Sequence, residues 1–452
     1  MFGNFGVQSA SMTSERLRVI NKVGLRLIPF LFLTYIINYL DRINIGFAAL
    51  SMNKDLGLSA TAFGFASTIF YIGYVACEVP SNLLMARYGG RVWLARIMVS
   101  WGIASAATMF VFDTSSLYLA RFLVGVLEAG FQPGVLLFLS YWFPASHRAR
   151  ANAFLMMGHP VAMALGGAVS GLILQDAHGL FGIQGWRWLF LLEGLPAIPL
   201  GIMAYFYLSD RPEKAKWLTR DEADTLSGLL AEEKPAGRAG HGLSIWKQLA
   251  DRNVVLLALV YFCLCNTINA NATWIPTIVR SVLQTHTLSF VGLVTAVPAA
   301  FAFVLMPLWA ISSDRKQERT WHVVAALGMA AIGWQLVVFA PQPELRLLGL
   351  GFTTAGAYCA TSVFWTLPQT LLSETARPAG IAAINAFGLL GSAFSPAAIG
   401  FLRDLTGNFS AGLMFITALL VVAMVLVLAV SRARPVIAAA QAFAAPVAEV
   451  RK

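Results

Sequence analysis

Residues 35–47 read YIINYLDRINIGF, an acid and a base side by side, Asp41 and Arg42, in a stretch otherwise suited to lipid. Residues 118–134, YLARFLVGVLEAGFQPG, set Arg121 and Glu128 in the same kind of surroundings. A charge in hydrocarbon costs several kcal/mol, so these four side chains are expected to face a polar interior. Arg121 and Glu128 are seven residues apart and share a helix face. At 1.5 Å per residue they lie about 6 Å and about 16 Å along a span that starts near Leu117. Asp41 lies about 13 Å from the outer end of its own span. Both acids therefore fall near mid-membrane.

Outward from these stretches the sequence resolves into twelve apolar segments, each long enough to cross a hydrocarbon layer of roughly 30 Å. They lie near 24–50, 61–84, 95–115, 117–140, 151–174 and 187–208, then 253–279, 289–312, 322–340, 346–370, 379–402 and 409–430. Of the 452 residues 58% are hydrophobic and 12% charged, about half the charged share of a soluble domain. Twelve such segments in series exclude a soluble protein with buried core helices. The expected class is an all-α membrane protein.

The net charge of +10 is a matter of topology. Threaded through twelve spans, 25 of the 32 Lys and Arg residues fall on the side of the termini and the middle loop, and 5 on the other. That bias predicts cytoplasmic termini and a cytoplasmic middle loop. It is no nucleic-acid footprint. Cys77, Cys263, Cys265 and Cys359 lie in apolar segments and read as packing residues, without a disulfide framework or a metal-ligand set. No cleavable signal is expected, because the first apolar run is too long for a signal core.

The longest polar interruption, 209–252, divides the chain in half and is expected to carry a surface helix near 220–233. The resulting plan is a tail (1–23), a first six-helix bundle (24–208), the middle loop (209–252), a second six-helix bundle (253–430) and a second tail (431–452). A weak internal repeat supports it: ARYGGRVWLAR from Ala86 and AISSDRKQER from Ala310 occupy corresponding junctions. Glycines in the fourth and fifth segments predict close helix contacts. Pro133, Pro160, Pro298, Pro307, Pro368 and Pro396 can bend or interrupt their spans.

Two guanidinium groups in a polar interior favour an anion, since a carboxylate can take both prongs of one fork. Two carboxylates at that depth are candidate proton carriers, because burial and a nearby arginine pull a proton's affinity in opposite directions. The other reading of the four is a static ion-pair lock between helices. Tyr39, Tyr74 and Asn38 lie at depths where they could donate hydrogen bonds. His159 reads either as a substrate contact or as a packing histidine. Asn266, Asn269, Asn271 and Asn385 polarise the second half, and Trp365 could stack on a flat substrate or pack between helices. Glu78 and Glu193 read as structural caps or partners. Arg87, Arg91, Asp314 and Arg315, at the junctions, either hold a gate through charge-assisted bonds or serve positive-inside retention.

Several of these stretches carry a family likeness. NYLDRINIGFAAL (38–50), GYVACEVPSNLLMARYGGR (73–91), RFLVGVLEAGFQPG (121–134), YWFPASHRARANA (141–153) and GWRWLFLLEGLPA (185–197) resemble the major facilitator superfamily. Within it they resemble the anion:cation symporter branch, whose bacterial members include tartrate, galactonate, phthalate and hydroxyphenylacetate permeases. The likeness spans about residues 20–430. ARYGGR lacks the central acid of the general superfamily motif. His159 stands where sugar-acid members often carry glutamine, which argues against galactonate.

The resemblance implies a fold of twelve transmembrane helices in two six-helix bundles and a bacterial inner-membrane location. It implies that Asp41 and Glu128 couple protons, and that Arg42 and Arg121 organise the acids and attract a substrate carboxylate. Tyr39, Tyr74, His159, Trp365 and Asn385 would contact substrate. The expected activity is import of a small organic anion by proton symport with alternating access. The alternative is proton-coupled efflux of amphipathic compounds. The partners are a small organic anion, a proton and the bilayer, for a chain expected to be monomeric. No cofactor is expected. No nucleophile–base pair or Walker pattern suggests an enzyme or an ATPase.

Overall fold

The computed structural model describes residues 14–232, 251–284, 286–372 and 377–432. Parts of the expected tails and of the middle loop (1–13, 233–250 and 433–452) lie outside the described residues. All regular structure among the described residues is helical. Twelve helical segments are long and apolar enough to cross a membrane. We number them α1 (Ser14–Asp55), α2 (Ala60–Tyr88), α3 (Gly90–Phe110), α4 (Thr114–Ser140), α5 (Arg150–Asp176), α6 (Gly185–Tyr207), α7 (Arg252–Val282), α8 (Leu288–Lys316), α9 (Thr320–Phe339), α10 (Pro343–Leu371), α11 (Ala379–Thr406) and α12 (Ser410–Ser431).

The first helix starts ten residues before the apolar run expected at 24–50, and its reason is tertiary. Val19, Ile20 and Val23 form an apolar face on an otherwise polar stretch, and they join a core shared with Ala223, Leu226 and Leu229. Those three belong to a surface helix, Arg220–Glu232, inside the middle loop. Thr219 and Glu222 start that helix with reciprocal side-chain to backbone bonds, so two orphan N–H groups are satisfied at once. Ion pairs Lys22–Glu222 (2.6 Å) and Arg16–Glu232 (3.1 Å) run along its edge. Arg26 lies over the rings of Tyr207 and Trp217, and Trp217 stacks on Trp142. The loop helix is thus a packed part of the first half.

Four spans are broken, and the breaks share a cause. α4 divides into Thr114–Glu128 and Phe131–Ser140, α6 into Gly185–Gly194 and Ala197–Tyr207, and α10 into Pro343–Phe364 and Thr366–Leu371. In α5 the interruption falls at Met157. Three of the breaks lie three or four residues before a proline, Pro133, Pro160 or Pro368, and the α6 break contains Pro196 itself. Proline removes a backbone donor and crowds the preceding turn. Pro298, Pro307 and Pro396 have the same effect in principle yet sit inside unbroken helices. Three of the four breaks add a glycine at the break itself, Gly130, Gly158 or Gly194, which lowers the local helix preference by about 1 kcal/mol more. Gly130 takes the left-handed conformation (φ 86°), which a side chain would strain.

The described chain clusters into two units. One comprises Met1–Gly240 with Val279–Ala296, the other His241–Ile278 with Val297–Lys452. The turn joining α7 to α8 thus groups with the first unit, where the plan of two bundles placed it in the second. Its reason is a backbone seam. Gly292 faces Gly167 and Gly171 of α5 so closely that a Cβ on any of them would meet backbone. Within the first unit α2 packs on α4, α3 on α6 and α1 on α5 and α6. Within the second, α9 packs on α10 and α12, and α11 on α12. Lipid supplies little drive for association, so small residues let backbones touch.

Candidate functional site

The site is built on α1. Adjacent residues on a helix point about 100° apart and do not face each other. Asp41 and Arg42 therefore serve different neighbours, which the sequence order conceals. Arg42 turns with Asn38 toward α4. Its Nε donates to Glu128 Oε1 at 2.5 Å, and Asn38 Nδ2 donates to the same oxygen at 2.8 Å. The other Glu128 oxygen is buried without a partner. Glu128 is the last residue before the α4 break and is fully buried. Tyr74 of α2 presents its ring to the Arg42 guanidinium at 4.7 Å.

Asp41 turns toward α3. Its Oδ1 accepts from Ser105 Oγ and from Asn44 Nδ2 (3.0 Å), and its Oδ2 is buried without a partner. No cation lies within ion-pair distance of Asp41 among the described residues.

Arg121 departs from a simple pairing of acids and bases. It shares a face with Glu128, yet Arg42 takes Glu128. Arg121 is 3% exposed, and among the described residues it makes neither a hydrogen bond nor an ion pair. Its guanidinium lies 4.8 Å from the centre of the Phe70 ring, and Asp41 and Glu128 act on it only through space. Gly125 sets this approach, since a Cβ there would collide with the Phe70 backbone. The start of α4 is fixed by Asp113, whose side chain accepts from Ser116 N while Ser116 Oγ accepts from the Asp113 N–H. Hydrogen bonds from the Ser116 side chain and backbone hold the exposed Asp113 carboxyl below its usual range.

His159, at the α5 break, closes the cluster. Its Nε2 lies 3.2 Å from Tyr35 Oη, and Tyr39 packs edge-on at 4.2 Å between ring centres. The first unit thus brings together Tyr39, Asp41, Arg42, Tyr74, Arg121, Glu128 and His159. Trp365 and Asn385 belong to the second unit. Trp365 occupies the α10 break and packs edge-on against Tyr261 at 4.8 Å, while Asn385 is half-buried and unbonded among the described residues.

The junction residues are dispersed. Arg87 is exposed and leans on Tyr88, and Arg315 is exposed. Asp314 pairs with Arg319 at 2.6 Å. Arg91 is held by its backbone N–H, which donates to Asp210 Oδ1 at 2.9 Å, and its guanidinium covers Tyr205. Asp210 went unnoticed in the sequence, where it is one acid among several in a polar loop. Ser105, Asn44 and Ser170 were missed too, because a hydroxyl or amide in an apolar span has no pattern of its own. Among the described residues no cluster of His, Cys, Asp and Glu could hold a metal ion.

Comparisons with known proteins agree with this architecture. The family profile of the Major Facilitator Superfamily matches residues 31–396. A protein of Agrobacterium vitis named "Putative tartrate transporter" is 46% identical, over 92% of this chain and 96% of that one. The "Quinolone resistance transporter" of Acinetobacter baumannii is 34% identical, over 90% and 94%. Among solved structures, a bacterial homolog of the human lysosomal transporter Spinster superposes with a TM-score of 0.74 at 16% identity, over 93% of this chain and 98% of that one, a likeness of fold alone. The chain belongs to the major facilitator superfamily and is a multi-pass secondary transporter of small organic substrates, not an enzyme.

Proposed function

We propose that this transporter imports a small organic anion, a carboxylate such as tartrate, another sugar acid or an aromatic acid, by proton symport with alternating access. The observation that carries the reading is Arg121, a buried guanidinium with no counter-ion among the described residues. A buried charge without a partner is costly, and a substrate carboxylate would supply the partner. Arg42 is the second anion-attracting group, released when Glu128 takes a proton. Asp41 and Glu128 are the proton carriers. Tyr39, Tyr74 and His159 are substrate contacts of the first unit, and Trp365 and Asn385 of the second. Arg87, Arg91, Asp314 and Arg315 are gate residues whose contacts change between states. The protein lies in the bacterial inner membrane with both termini cytoplasmic, and it acts as a monomer.

Symport has a physical motive. A membrane potential negative inside opposes entry of a bare anion by about 2.3 kcal/mol per charge per 100 mV, and a co-entering proton cancels that term. The relative named for tartrate supports the substrate class. The test is uptake of labelled tartrate and of a panel of sugar and aromatic acids into proteoliposomes. An imposed inward proton gradient should raise uptake, and a proton carrier should abolish the gain. Uptake indifferent to both would remove the coupling.

The relative named for quinolone resistance favours a second reading, proton-driven efflux of amphipathic compounds. Arg121 separates the two. Loss of its charge should abolish carboxylate uptake, whereas export of an amphipathic drug should survive it.

A further inference from the structure

One buried acid stands outside the mechanism just described. Glu193 is the penultimate residue before the α6 break; Glu128 ends the helix before the α4 break, and His159 is the second residue after the α5 break. It is 5% exposed. Its Oε1 accepts from Ser170 Oγ of α5 at 2.6 Å, while its Oε2 is buried with no partner among the described residues. Asp41 has the same pattern, one oxygen on a serine hydroxyl and the other without a partner. The residue after Glu193 approaches the serine that binds Asp41. Gly194 backs so closely on α3 that a Cβ there would lie 3.1 Å from Ser105 Oγ, the hydroxyl that donates to Asp41.

The helices packed against the first half of α6 are α1, α3 and α5. Near Glu193, α1 supplies Asp41, α3 supplies Ser105 and α5 supplies Ser170. Asp41 is the charged group that acts on Glu193 through space, and no cation pairs with either acid among the described residues. Two buried carboxylates that interact through space, neither in an ion pair among the described residues, cannot both ionise cheaply.

We propose that Glu193 is a further proton-binding site of the transport cycle, beside Asp41 and Glu128, coupled to Asp41 across the Ser105–Gly194 contact, so that Asp41 and Glu193 carry at most one negative charge between them. This rests on the proton-symport reading above. The loaded pair holds two protons. On release one O–H bond breaks, its electron pair stays on the carboxylate, and the proton passes to water on the open side. The other acid keeps its O–H bond, and which acid keeps it depends on the field of Arg121 and Glu128 beside Asp41.

The test is infrared difference spectroscopy of the full-length protein in lipid nanodiscs, titrated with pH and without substrate. Asp41→Asn and Glu193→Gln should each remove one protonated-carboxyl band. Glu193→Gln should also move the Asp41 midpoint by about one pH unit or more, as coupled acids do. If Glu193→Gln removes no band, or removes one and leaves the Asp41 midpoint in place, the proposal is overturned. Should that variant fail to fold, Ser170→Ala keeps the acid and removes its donor. It should shift the Glu193 band and the Asp41 midpoint together, and an unchanged midpoint would overturn the proposal equally. The readout needs no transported compound. Gradient-independent uptake alongside coupled bands would remove the symport reading and leave the acid pair. Gradient-driven uptake with uncoupled bands would do the reverse.

Discussion

The two units solve the problem of polar groups at membrane depth in different ways. Among the described residues the buried charged side chains, Asp41, Arg121, Glu128 and Glu193, all belong to the first unit, as does nearly buried Arg42. Among its described residues the second unit buries neutral polar groups and no charged ones, among them Asn266, Thr267, Asn269, Asn271, Thr353 and Thr354. Asn266 Nδ2 donates to the Phe262 carbonyl at 2.8 Å, and Asn269 donates to the carbonyl of Ser392. Asn266 Oδ1, Thr267 Oγ1 and Asn271 Nδ2 are buried without a hydrogen-bond partner among the described residues, but these groups are neutral, and loss of one of their bonds, about 1 kcal/mol, leaves no uncompensated charge. The first unit holds charges that are stable only while partnered or protonated. On the proposed symport, changes of proton and anion occupancy would act on the first unit, and neutral hydrogen bonding in the second would be left to shape and specificity.

The contrast is sharpest in stability. Removing one member of a buried ion pair costs about 3–5 kcal/mol, because the other charge stays buried. Arg42→Met should lower thermal stability by that amount, and Arg42→Met with Glu128→Gln should recover most of it. Asn266→Ala should cost about 1–2 kcal/mol. Thermal unfolding in detergent measures all three. Equal losses for Arg42→Met and Asn266→Ala would dissolve the distinction between the units.

Transport gives the next largest effect. Arg121 has no ion-pair partner to strand, so Arg121→Ala should fold normally and lose carboxylate uptake by about 100-fold or more, the scale of a lost charge-assisted fork. Asn385→Ala, in the second unit, should raise KM by about tenfold or less, the scale of one neutral hydrogen bond. Initial uptake rates against substrate concentration check both. A larger loss for Asn385→Ala would move the centre of recognition to the second unit.

Much of this division was legible in the sequence. Four charges in apolar runs marked the first unit's cluster, and the twelve-span count followed from segment length. The partnering was not legible. Asp41 and Arg42 are neighbours in sequence and diverge on the helix, while Arg42 and Glu128 are 86 residues apart and meet. Glu193 read as a structural partner because its setting depends on Ser170, Ser105 and Gly194, none of which stands out alone. The prolines were visible, but which ones break a helix was not: a glycine accompanies three of the four breaks, and the α10 break at Trp365 has none. The extra turns of α1 depend on a loop helix whose apolar face is visible only once the two are packed.

The smallest effect lies at the rim of the first unit, where charges meet water. Lys22 donates to both oxygens of Glu222, and the Thr219 N–H adds a third bond. These bonds, the one from Lys22 foremost, hold the Glu222 carboxyl below its ordinary range. A depressed acid contributes stability that is complete above its unfolded value, roughly pH 4.3, and is lost as pH falls through the lower folded value. Glu222→Gln should therefore lower thermal stability slightly at pH 7, by no more than about 1 kcal/mol, and less at high salt. The gap between wild type and variant should close in acid and not in base. A gap that persists below the folded value would mean that Glu222 acts by packing rather than by charge. A gap as large as that of Arg42→Met would mean that burial does not set the worth of a charge in this unit.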